Sequence, residues 1–289
     1  MERIGLIGFG EAGAAFAAGA EWVPYARAYD RKTDDPATRA AKQADYAAAV
    51  VVGTTTAAEA LNGTRAVFSL VTADQALATA ESAVPAPGTL WLDCNSVAPD
   101  TKRAAARAIE AAGARYVDVA VMAPVHPARR GVPLLVSGPH AEDGAAMLVR
   151  LGFANVGVVT GSVGAASAIK MIRSVMVKGL EALSAECVLA AEAAGVRDQV
   201  IASLDASWRA ESWATRFDYN LDRMLTHGIR RAAEMQEVVK TLEALGTGSS
   251  MSRGTIERQR AAGAVGQTAP AGLEAKLSLL LPRREDAAP

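Results

Sequence analysis

Cysteine and histidine are scarce in this sequence, and each scarcity argues against a class of protein. The 289 residues include two cysteines and three histidines. Cys94 and Cys187 lie far apart, which argues against a disulfide framework and favours a reducing compartment. His126, His140 and His227 have no metal-ligand spacing, so we expect no structural metal.

The chain also lacks a strong net charge and long apolar runs. Its formal net charge is -1 at pH 7, which gives no field to attract a polyanion, so we expect no nucleic-acid partner. No apolar run reaches the roughly 18 residues of a membrane span. The first residues carry no basic segment ahead of a long apolar core, as a secretion signal would. We therefore expect a cytoplasmic protein with no membrane partner.

The sequence is nevertheless apolar enough to bury two cores. Hydrophobic residues make up 51% of it and charged residues 21%, with a mean hydropathy of +0.14. Strand and helix patterns alternate in the first half, whereas only helical patterns follow Gly195. This order predicts an α/β fold with a mostly parallel, doubly wound sheet, followed by an all-α domain.

A glycine motif joins the first predicted strand to the first predicted helix. The apolar run at 3–7 precedes Gly8, Gly10 and Gly13, which form the pattern G-x-G-x-x-G ahead of helix-forming residues. The first glycine of such a motif makes a tight turn, the second admits a pyrophosphate, and the third packs helix on strand. The motif predicts a dinucleotide-binding Rossmann domain. The extent of the alternating strands and helices predicts this domain at 1–161 and a helical domain at 162–289.

Asp30 follows the second predicted strand, at the place where an acid binds the ribose hydroxyls of NAD. An ordinary turn residue is the alternative interpretation. Asp30 should repel a 2′-phosphate, whereas Arg31 and Lys32 can pair with one, so we predict NAD as the preferred cofactor with some use of NADP. Val71 and Thr72 end a later strand, where cofactor contacts are usual. The predicted cofactor-binding residues are Gly8, Phe9, Gly10, Glu11, Ala12, Gly13, Asp30, Arg31, Val71 and Thr72.

Further elements follow from apolar runs and from turn residues. Asn95 and Ser96 are predicted to cap a helix that begins near Pro99. Gly228, Gly246 and Gly263 are predicted to separate helices in the second half. The later predicted strands are 50–52, 66–71, 89–93, 116–121 and 133–137, and the later predicted helices are 198–208, 212–225, 229–245 and 252–262.

The stretch from Gly161 to Gly195 predicts one long helix that joins the two domains. It contains no proline, and its apolar residues recur at helical spacing. Lys170, Ser174 and Lys178 share one face of this helix. That face predicts a functional site where the two domains meet. The alternative interpretation is that the helix lies on the surface and that these side chains are simply solvated.

Four motifs together resemble the β-hydroxyacid dehydrogenase superfamily, which includes the 3-hydroxyisobutyrate and 6-phosphogluconate dehydrogenases. The first is the N-terminal glycine motif. The second, 93–99, matches the family's D-x-S-T-x-x-P with Asn95 at the Ser and Ser96 at the Thr. The third, 118–124, stands at the family's D-A-P-V-S-G-G, and the fourth is the glycine-rich run 161–166 ahead of Lys170. Residues 227–235 look like a branch of the family whose helical domain has no settled function.

The resemblance implies an NAD(P)-dependent oxidoreductase that transfers hydride between a nicotinamide cofactor and a hydroxyacid-like small molecule. Lys170 stands at the family's catalytic lysine and is the implied acid/base. Two departures count against the family's usual small hydroxyacids: Met122-Ala123-Pro124 replaces the Ser-Gly-Gly that holds the substrate carboxylate, and Ser174 replaces the usual Asn. The family also implies a homodimer formed through the helical domain. The predicted substrate-binding residues are Asn95, Ser96, Met122, Ala123, Ser174 and Lys178.

Two other functions stay open at this point. An imine reductase shares the fold but usually has another residue at the position of Lys170, which counts against it. A non-catalytic sensor would bind the dinucleotide without turning anything over. Four further residues could either contact a ligand or be ordinary residues of a loop or helix, and the sequence does not decide between these roles. They are His126, His227, Arg230 and Arg231.

Overall fold

A computed structural model describes residues 2–207, 211–266 and 268–281 of the chain. The chain divides into two compact units, Met1–Val175 and Met176–Pro289. The first unit contains a β-sheet with helices, and the described part of the second unit is helical. The predicted fold class, a Rossmann sheet followed by an all-α region, is confirmed.

The first unit is organised on one eight-stranded sheet with the strand order β3-β2-β1-β4-β5-β6-β7-β8. The strands from β3 to β6 in this order pair in parallel, β6 and β7 pair antiparallel, and β7 and β8 pair in parallel. The strands are β1 (Ile4–Ile7), β2 (Ala26–Tyr29), β3 (Val52–Gly53), β4 (Ala66–Ser69), β5 (Leu90–Asp93), β6 (Arg115–Val121), β7 (Leu134–Ser137) and β8 (Val156–Val158).

Central strands form from short apolar runs that are buried on both faces. All residues of β1, β4 and β5 are buried, as expected where helices cover a parallel sheet on both sides. The helices of this unit are α1 (Glu11–Ala17), α2 (Pro36–Ala48), α3 (Ala57–Leu61), α4 (Ala76–Ser82), α5 (Pro99–Ala111) and α6 (Ala141–Arg150).

The second unit is built from helices. The long helix α7 (Ala165–Ala193) begins in the first unit and continues into the second. The helices after it are α8 (Arg197–Ser207), α9 (Trp213–Leu245), α10 (Ser250–Gly263) and α11 (Leu273–Leu280). No helix in the described part of the chain has the length and apolarity needed to cross a membrane.

Local capping explains several of the helix starts. Asp35 caps α2 by accepting a hydrogen bond from the N–H of Ala37, and Pro36 occupies the first helical position. Ser212 caps α9 by accepting from the N–H of Thr215. The predicted cap of α5 is wrong: Ala98 precedes this helix and no side chain caps it.

The prediction of two helices at 212–225 and 229–245 is also wrong, because α9 runs through Gly228 without a break. A β-carbon on Gly228 would lie 2.2 Å from the carbonyl oxygen of Gln259 and 2.8 Å from the backbone nitrogen of Gly263, on α10. Gly228 therefore permits close packing of α9 on α10 instead of ending the helix. Gly246 does end α9, with a left-handed φ of 69°.

Several strand boundaries differ from the predicted ones. Val50 has a φ of 57° and is exposed, so β3 begins only at Val52. The strand predicted at 66–71 ends at Ser69, which leaves Val71 and Thr72 in the loop beyond the sheet edge. The sequence patterns missed β8, α4, α6 and α11.

Candidate active site

The glycine motif forms a turn that leaves room for a ligand at its centre. Gly8 has a φ of +86°, and a β-carbon there would lie 2.7 Å from the backbone carbonyl of Leu70. A side chain at Gly8 would therefore collide with the neighbouring strand connection. Gly10 has no atom within 4 Å of the position of a β-carbon. The backbone at Gly10 is thus open to the close approach that a pyrophosphate requires.

Asp30 is fixed beside this turn by two backbone hydrogen bonds. Its Oδ2 accepts from the N–H of Phe9 at 2.8 Å, and its Oδ1 accepts from the N–H of Lys32 at 3.0 Å. The carboxylate is partly buried, so it can also accept hydrogen bonds from a ligand. This arrangement suits the two hydroxyls of a ribose.

A cavity of about 380 Å³ connects these features. Most of the predicted cofactor-binding residues line it together, with Arg31 and Lys32 beside Asp30. An open glycine turn, a fixed carboxylate and a cavity at the carboxyl edge of parallel strands fit a dinucleotide. The lining residues from the predicted set are Gly8, Gly10, Asp30, Arg31, Val71 and Thr72.

The remaining predicted cofactor residues have other positions. The Phe9 side chain is buried and packs on Tyr46, with ring centroids 5.2 Å apart, so only its backbone faces Asp30. Gly13 is buried, and a β-carbon there would lie 3.1 Å from the ring of Phe9. Glu11 and Ala12 line a second, adjoining cavity.

The second cavity, of about 340 Å³, is lined by Lys170 and by residues that directly follow β5. Nζ of Lys170 donates a hydrogen bond to Oγ of Ser96 at 2.5 Å. Val71 lines both cavities, so the two adjoin at the loop after β4. The predicted residues that line the second cavity are Glu11, Ala12, Val71, Asn95, Ser96, Ala123 and Lys170.

Asn95 is buried at the base of this second cavity. Its side-chain amide donates to Oγ of Ser69 at 2.9 Å, and its backbone N–H donates to Oδ1 of Asp93. Neighbouring Cys94 is also buried, and burial raises the pKa of its thiol to about 12. Cys94 therefore stays a neutral thiol at physiological pH and is a poor nucleophile.

Met122 and Ser174, which were also predicted to bind substrate, do not line this cavity. The carbonyl of Met122 accepts a long hydrogen bond of 3.4 Å from Arg173. The Ser174 hydroxyl donates to the carbonyl of Lys170 within α7. The side chain of Lys178 lies outside the described part of the structure.

Lys170 reaches this edge because the start of α7 is anchored to the sheet by Asp118. Oδ2 of this buried aspartate accepts from the backbone N–H groups of Gly164 and Ser167, each at 3.1 Å. Its Oδ1 accepts from the Ser167 hydroxyl at 2.5 Å. Ser137, on β7, donates to Asp118 and accepts from the N–H of Ala166. A negative charge at a helix N-terminus is stabilising, so this anchor fixes the helix one turn before Lys170.

The sequence patterns did not identify Asp118, Ser137 and Ser167 as members of the site. One signal was present: Asp118 is a carboxylate between two valines in a predicted strand, and a charged residue that is buried there requires partners. The identity of those partners, which lie up to 49 residues away, is not readable from local patterns.

Comparison with known families gives two matches. Residues 3–164, more than half of the chain, match the NAD binding domain of 6-phosphogluconate dehydrogenase. Residues 191–262 match a domain of unknown function, DUF1932. A search of curated proteins finds no match to the chain.

Solved structures support the same assignment. A conserved hypothetical protein from Sinorhizobium meliloti 1021 is 37% identical, with 97% of this chain and 96% of that chain covered and a TM-score of 0.60. A conserved protein of unknown function, described as structurally similar to 3-hydroxyacid dehydrogenases, is 27% identical over 90% of this chain and 97% of that chain, with a TM-score of 0.55.

An imine reductase from Myxococcus stipitatus shares the fold. A variant in complex with NAD⁺ covers 97% of this chain and 99% of its own, with 17% identity and a TM-score of 0.74. The same enzyme in complex with NADP⁺ gives a TM-score of 0.71 at 20% identity.

The glycine turn, the fixed Asp30 and the family match agree, and the predicted NAD(P) cofactor is confirmed. The prediction of a hydroxyacid dehydrogenase type of oxidoreductase is confirmed at the level of the family, and the alternatives are not favoured. The chain belongs to the family that shares the NAD-binding domain of 6-phosphogluconate dehydrogenase, in combination with a DUF1932 domain.

Proposed function

We propose that this protein catalyses hydride transfer between NAD(P) and a hydroxyacid-like small molecule, with Lys170 as the acid/base. The observation that carries the proposal is the 2.5 Å contact between Nζ of Lys170 and Oγ of Ser96, in a cavity that adjoins the dinucleotide cavity. Alcohol oxidation requires a proton acceptor beside the nicotinamide, because the hydroxyl proton must be removed, and the Lys170 amine is placed to serve as one.

The roles of the side chains follow from this placement. A bound nicotinamide supplies the acceptor or donor of hydride. Lys170 takes the proton of the substrate hydroxyl during oxidation and returns it to the carbonyl oxygen during reduction. Ser96 holds the Lys170 amine at the edge of the sheet and lies within reach of the same substrate oxygen. Ser174 supports this helical turn through the carbonyl of Lys170.

Asp30 favours NAD over NADP in this proposal. Its carboxylate would be close to a 2′-phosphate and would repel it, whereas the ribose hydroxyls of NAD can donate to it. Arg31 and Lys32 line the same cavity and are exposed, so they offset part of that repulsion. We therefore propose that NAD is preferred and that NADP is used more weakly.

The loop beside the substrate cavity lacks the serine with which the family binds a substrate carboxylate. Ala123 and Pro124 line the cavity at the positions of the two glycines in the family's Ser-Gly-Gly, and Val125 follows them in the lining. Arg173 donates to the carbonyl of Met122 and is exposed, so it is available to a substrate carboxylate. We propose a 3-hydroxyacid or related substrate with more apolar bulk than 3-hydroxyisobutyrate.

The test is a substrate screen followed by a lysine substitution. Oxidation of 3-hydroxyacids of increasing apolar size is measured with NAD⁺ and with NADP⁺, and aldehydes and cyclic imines are tested with NADH and NADPH. Lys170→Ala should lower kcat by about 10²–10⁴-fold, as expected for loss of a positioned acid/base. Lys170→Arg should restore little, because Arg stays protonated. NADH affinity should stay near the wild-type value in both variants.

Arg107→Ala is the matched control, since Arg107 is an exposed cation on α5 of the same unit. It should leave kcat unchanged. Near-normal turnover by Lys170→Ala would remove Lys170 from the mechanism. Reduction of imines without oxidation of any hydroxyacid would favour the reductase, and tight NADH binding with no turnover would favour the sensor.

A further inference from the structure

Lys102 is a fully buried lysine in the first unit that the proposed chemistry does not use. It lies on α5 with no exposed surface. Its Nζ donates to the backbone carbonyl of Asp93 at 2.5 Å and to Oδ1 of Asp93 at 3.0 Å. The same Nζ lies 3.4 Å from Oδ1 of Asp118. One ammonium group therefore lies between two buried carboxylates.

The first carboxylate holds the loop that carries Ser96. Oδ1 of Asp93 accepts from the N–H of Asn95 at 2.9 Å, and Oδ2 accepts from the Tyr116 hydroxyl at 2.6 Å. Burial, together with the charge of Asp93, raises the pKa of Tyr116 well above its ordinary value, so Tyr116 remains a donor. Ser96 is the next residue after Asn95, so its position follows from that of Asp93.

The second carboxylate holds the helix that carries Lys170. Asp118 accepts from Gly164 and Ser167 at the start of α7, and Lys170 is the third residue after Ser167. Residues three apart on a helix lie on the same face. The orientation of Lys170 thus depends on the bonds to Asp118.

Two buried carboxylates repel each other in a medium of low dielectric unless a cation lies between them. Lys102 supplies that cation, and through it the Ser96 loop and the Lys170 helix are joined at one point. We infer that Lys102 is a positioning residue that sets the Lys170–Ser96 contact by bridging Asp93 and Asp118. The inference rests on the proposed function for its catalytic consequence, but the bridge itself can be tested without a substrate.

Any buried lysine that is paired with two carboxylates can have a purely structural role. The second unit contains such a lysine, which serves as a control. Lys276 is 3% exposed, and its Nζ lies 2.8 Å from Asp218 and 3.7 Å from Asp222. Lys276→Met is therefore the matched control for Lys102→Met, because each removes one buried ammonium group from between two aspartates.

The first measurement is hydrogen exchange of backbone amides in the whole protein bound to NADH. Lys102→Met should speed exchange in both the 93–97 and the 163–170 segments by about tenfold or more, since local opening then costs less. Lys102→Arg, which keeps the charge, should restore slower exchange. Lys276→Met should leave both segments unchanged. Normal exchange in either segment of Lys102→Met would overturn the bridge.

The second measurement uses the 3-hydroxyacid with the highest wild-type turnover in the substrate screen. Lys102→Met should lower kcat by about tenfold or more, a part of what a positioned acid/base contributes. The KM of the hydroxyacid and the NADH affinity should change little, and Lys102→Arg should recover part of kcat. An unchanged kcat in Lys102→Met would overturn the positioning role.

Two milder variants keep the test decisive if Lys102→Met does not fold. Ser167→Ala removes one donor to Asp118, and Tyr116→Phe removes one donor to Asp93. Because Lys102 joins the two carboxylates, each variant should speed exchange in both the 163–170 and the 93–97 segments. A change confined to the variant's own segment, or no change, would overturn the inference. Full activity of Lys170→Ala would instead contradict the proposed function, whatever the exchange data for Lys102.

Discussion

The two compact units differ in how completely they bury several of their large aromatic side chains. In Met1–Val175 the unit's own core covers Phe16 of α1, Phe68 of β4 and Trp91 of β5, which have no exposed surface. In the described part of Met176–Pro289, Trp213 is 49% exposed and Tyr219 is 59% exposed. The first unit therefore buries these side chains in its own core, whereas the second leaves large apolar side chains exposed to water, which is unfavourable.

The second unit also has a groove in its exposed apolar surface. Leu183 and Val188 of α7 and Ile201 and Leu204 of α8 line a space of about 680 Å³. The site chemistry proposed above lies in the closed unit, whereas the open unit offers surface to a partner. We propose that the first unit carries the catalysis and that the second unit forms a homodimer.

The largest expected effect is on stability, and it measures how differently the two units bury their aromatic side chains. Phe68→Ala, in the core of the first unit, should lower the free energy of unfolding by about 3–5 kcal/mol. Phe217→Ala, on α9, should cost less than about 1 kcal/mol, because Phe217 is already 37% exposed. Urea unfolding of both variants measures the two costs. Equal costs would show that Phe217 is covered as well as Phe68 is.

The next effect concerns assembly. We expect light scattering to give about twice the chain mass of 29.9 kDa. Ile201→Asp should weaken the dimer by about 2 kcal/mol or more, roughly 30-fold in Kd, if the groove is central to the interface. Val84→Asp is the matched control, since Val84 is an apolar residue of the first unit that is 80% exposed. A single 29.9 kDa species in the wild type would reject the dimer.

The smallest effect uses the two cysteines, one in each unit. Cys187 is exposed and Cys94 is buried, so a thiol reagent at pH 8 should label one thiol per chain quickly and the second only on unfolding. If a second copy covers the groove, labelling of Cys187 should slow as protein concentration rises. Two fast thiols would contradict the burial of Cys94.

The raised pKa of the Cys94 thiol also sets the direction in which the free energy of unfolding changes with pH. Its pKa rises from 9.0 to about 12 on burial, so the folded state keeps a proton that the unfolded chain loses. The stabilisation of the folded state by this raised pKa is fully present below pH 9. It is lost as pH rises toward 12, so the free energy of unfolding falls over that range. Cys94→Ala should make the fall in stability over that range shallower.

Local patterns predicted most of the sheet and the glycine turn. The apolar runs of β1, β4 and β5 and the G-x-G-x-x-G spacing are short-range signals, and the resemblance placed Lys170 and Ser96. The strand β7 was predicted, but its antiparallel pairing was not, and the short β8 gave no clear signal. Pairing of this kind depends on neighbours distant in sequence.

Two failures show the limits of local patterns in physical terms. Gly228 was interpreted as a helix breaker, but a glycine inside a helix costs only about 1 kcal/mol relative to Ala. Close packing against Gly263 offsets that cost. Lys102 was not singled out at all, because a lysine on an amphipathic helix resembles a solvated one until Asp93 and Asp118 are brought beside it. Both failures depend on contacts that only the folded chain makes.

The anchoring of α7 also bears on where the first domain can be cut. A boundary at 161/162 follows from the glycine-rich motif, and we propose it as the division between cofactor binding and the helical region. A chain shortened to that boundary would retain Ser137 and Lys102 beside Asp118 but would lose the donors from Gly164 and Ser167. During synthesis, too, every strand of the sheet leaves the ribosome before the residues that complete the bonding of this carboxylate. The dinucleotide domain therefore matures only when the first turn of the following helix has been made, and a separately expressed domain should extend past Lys170.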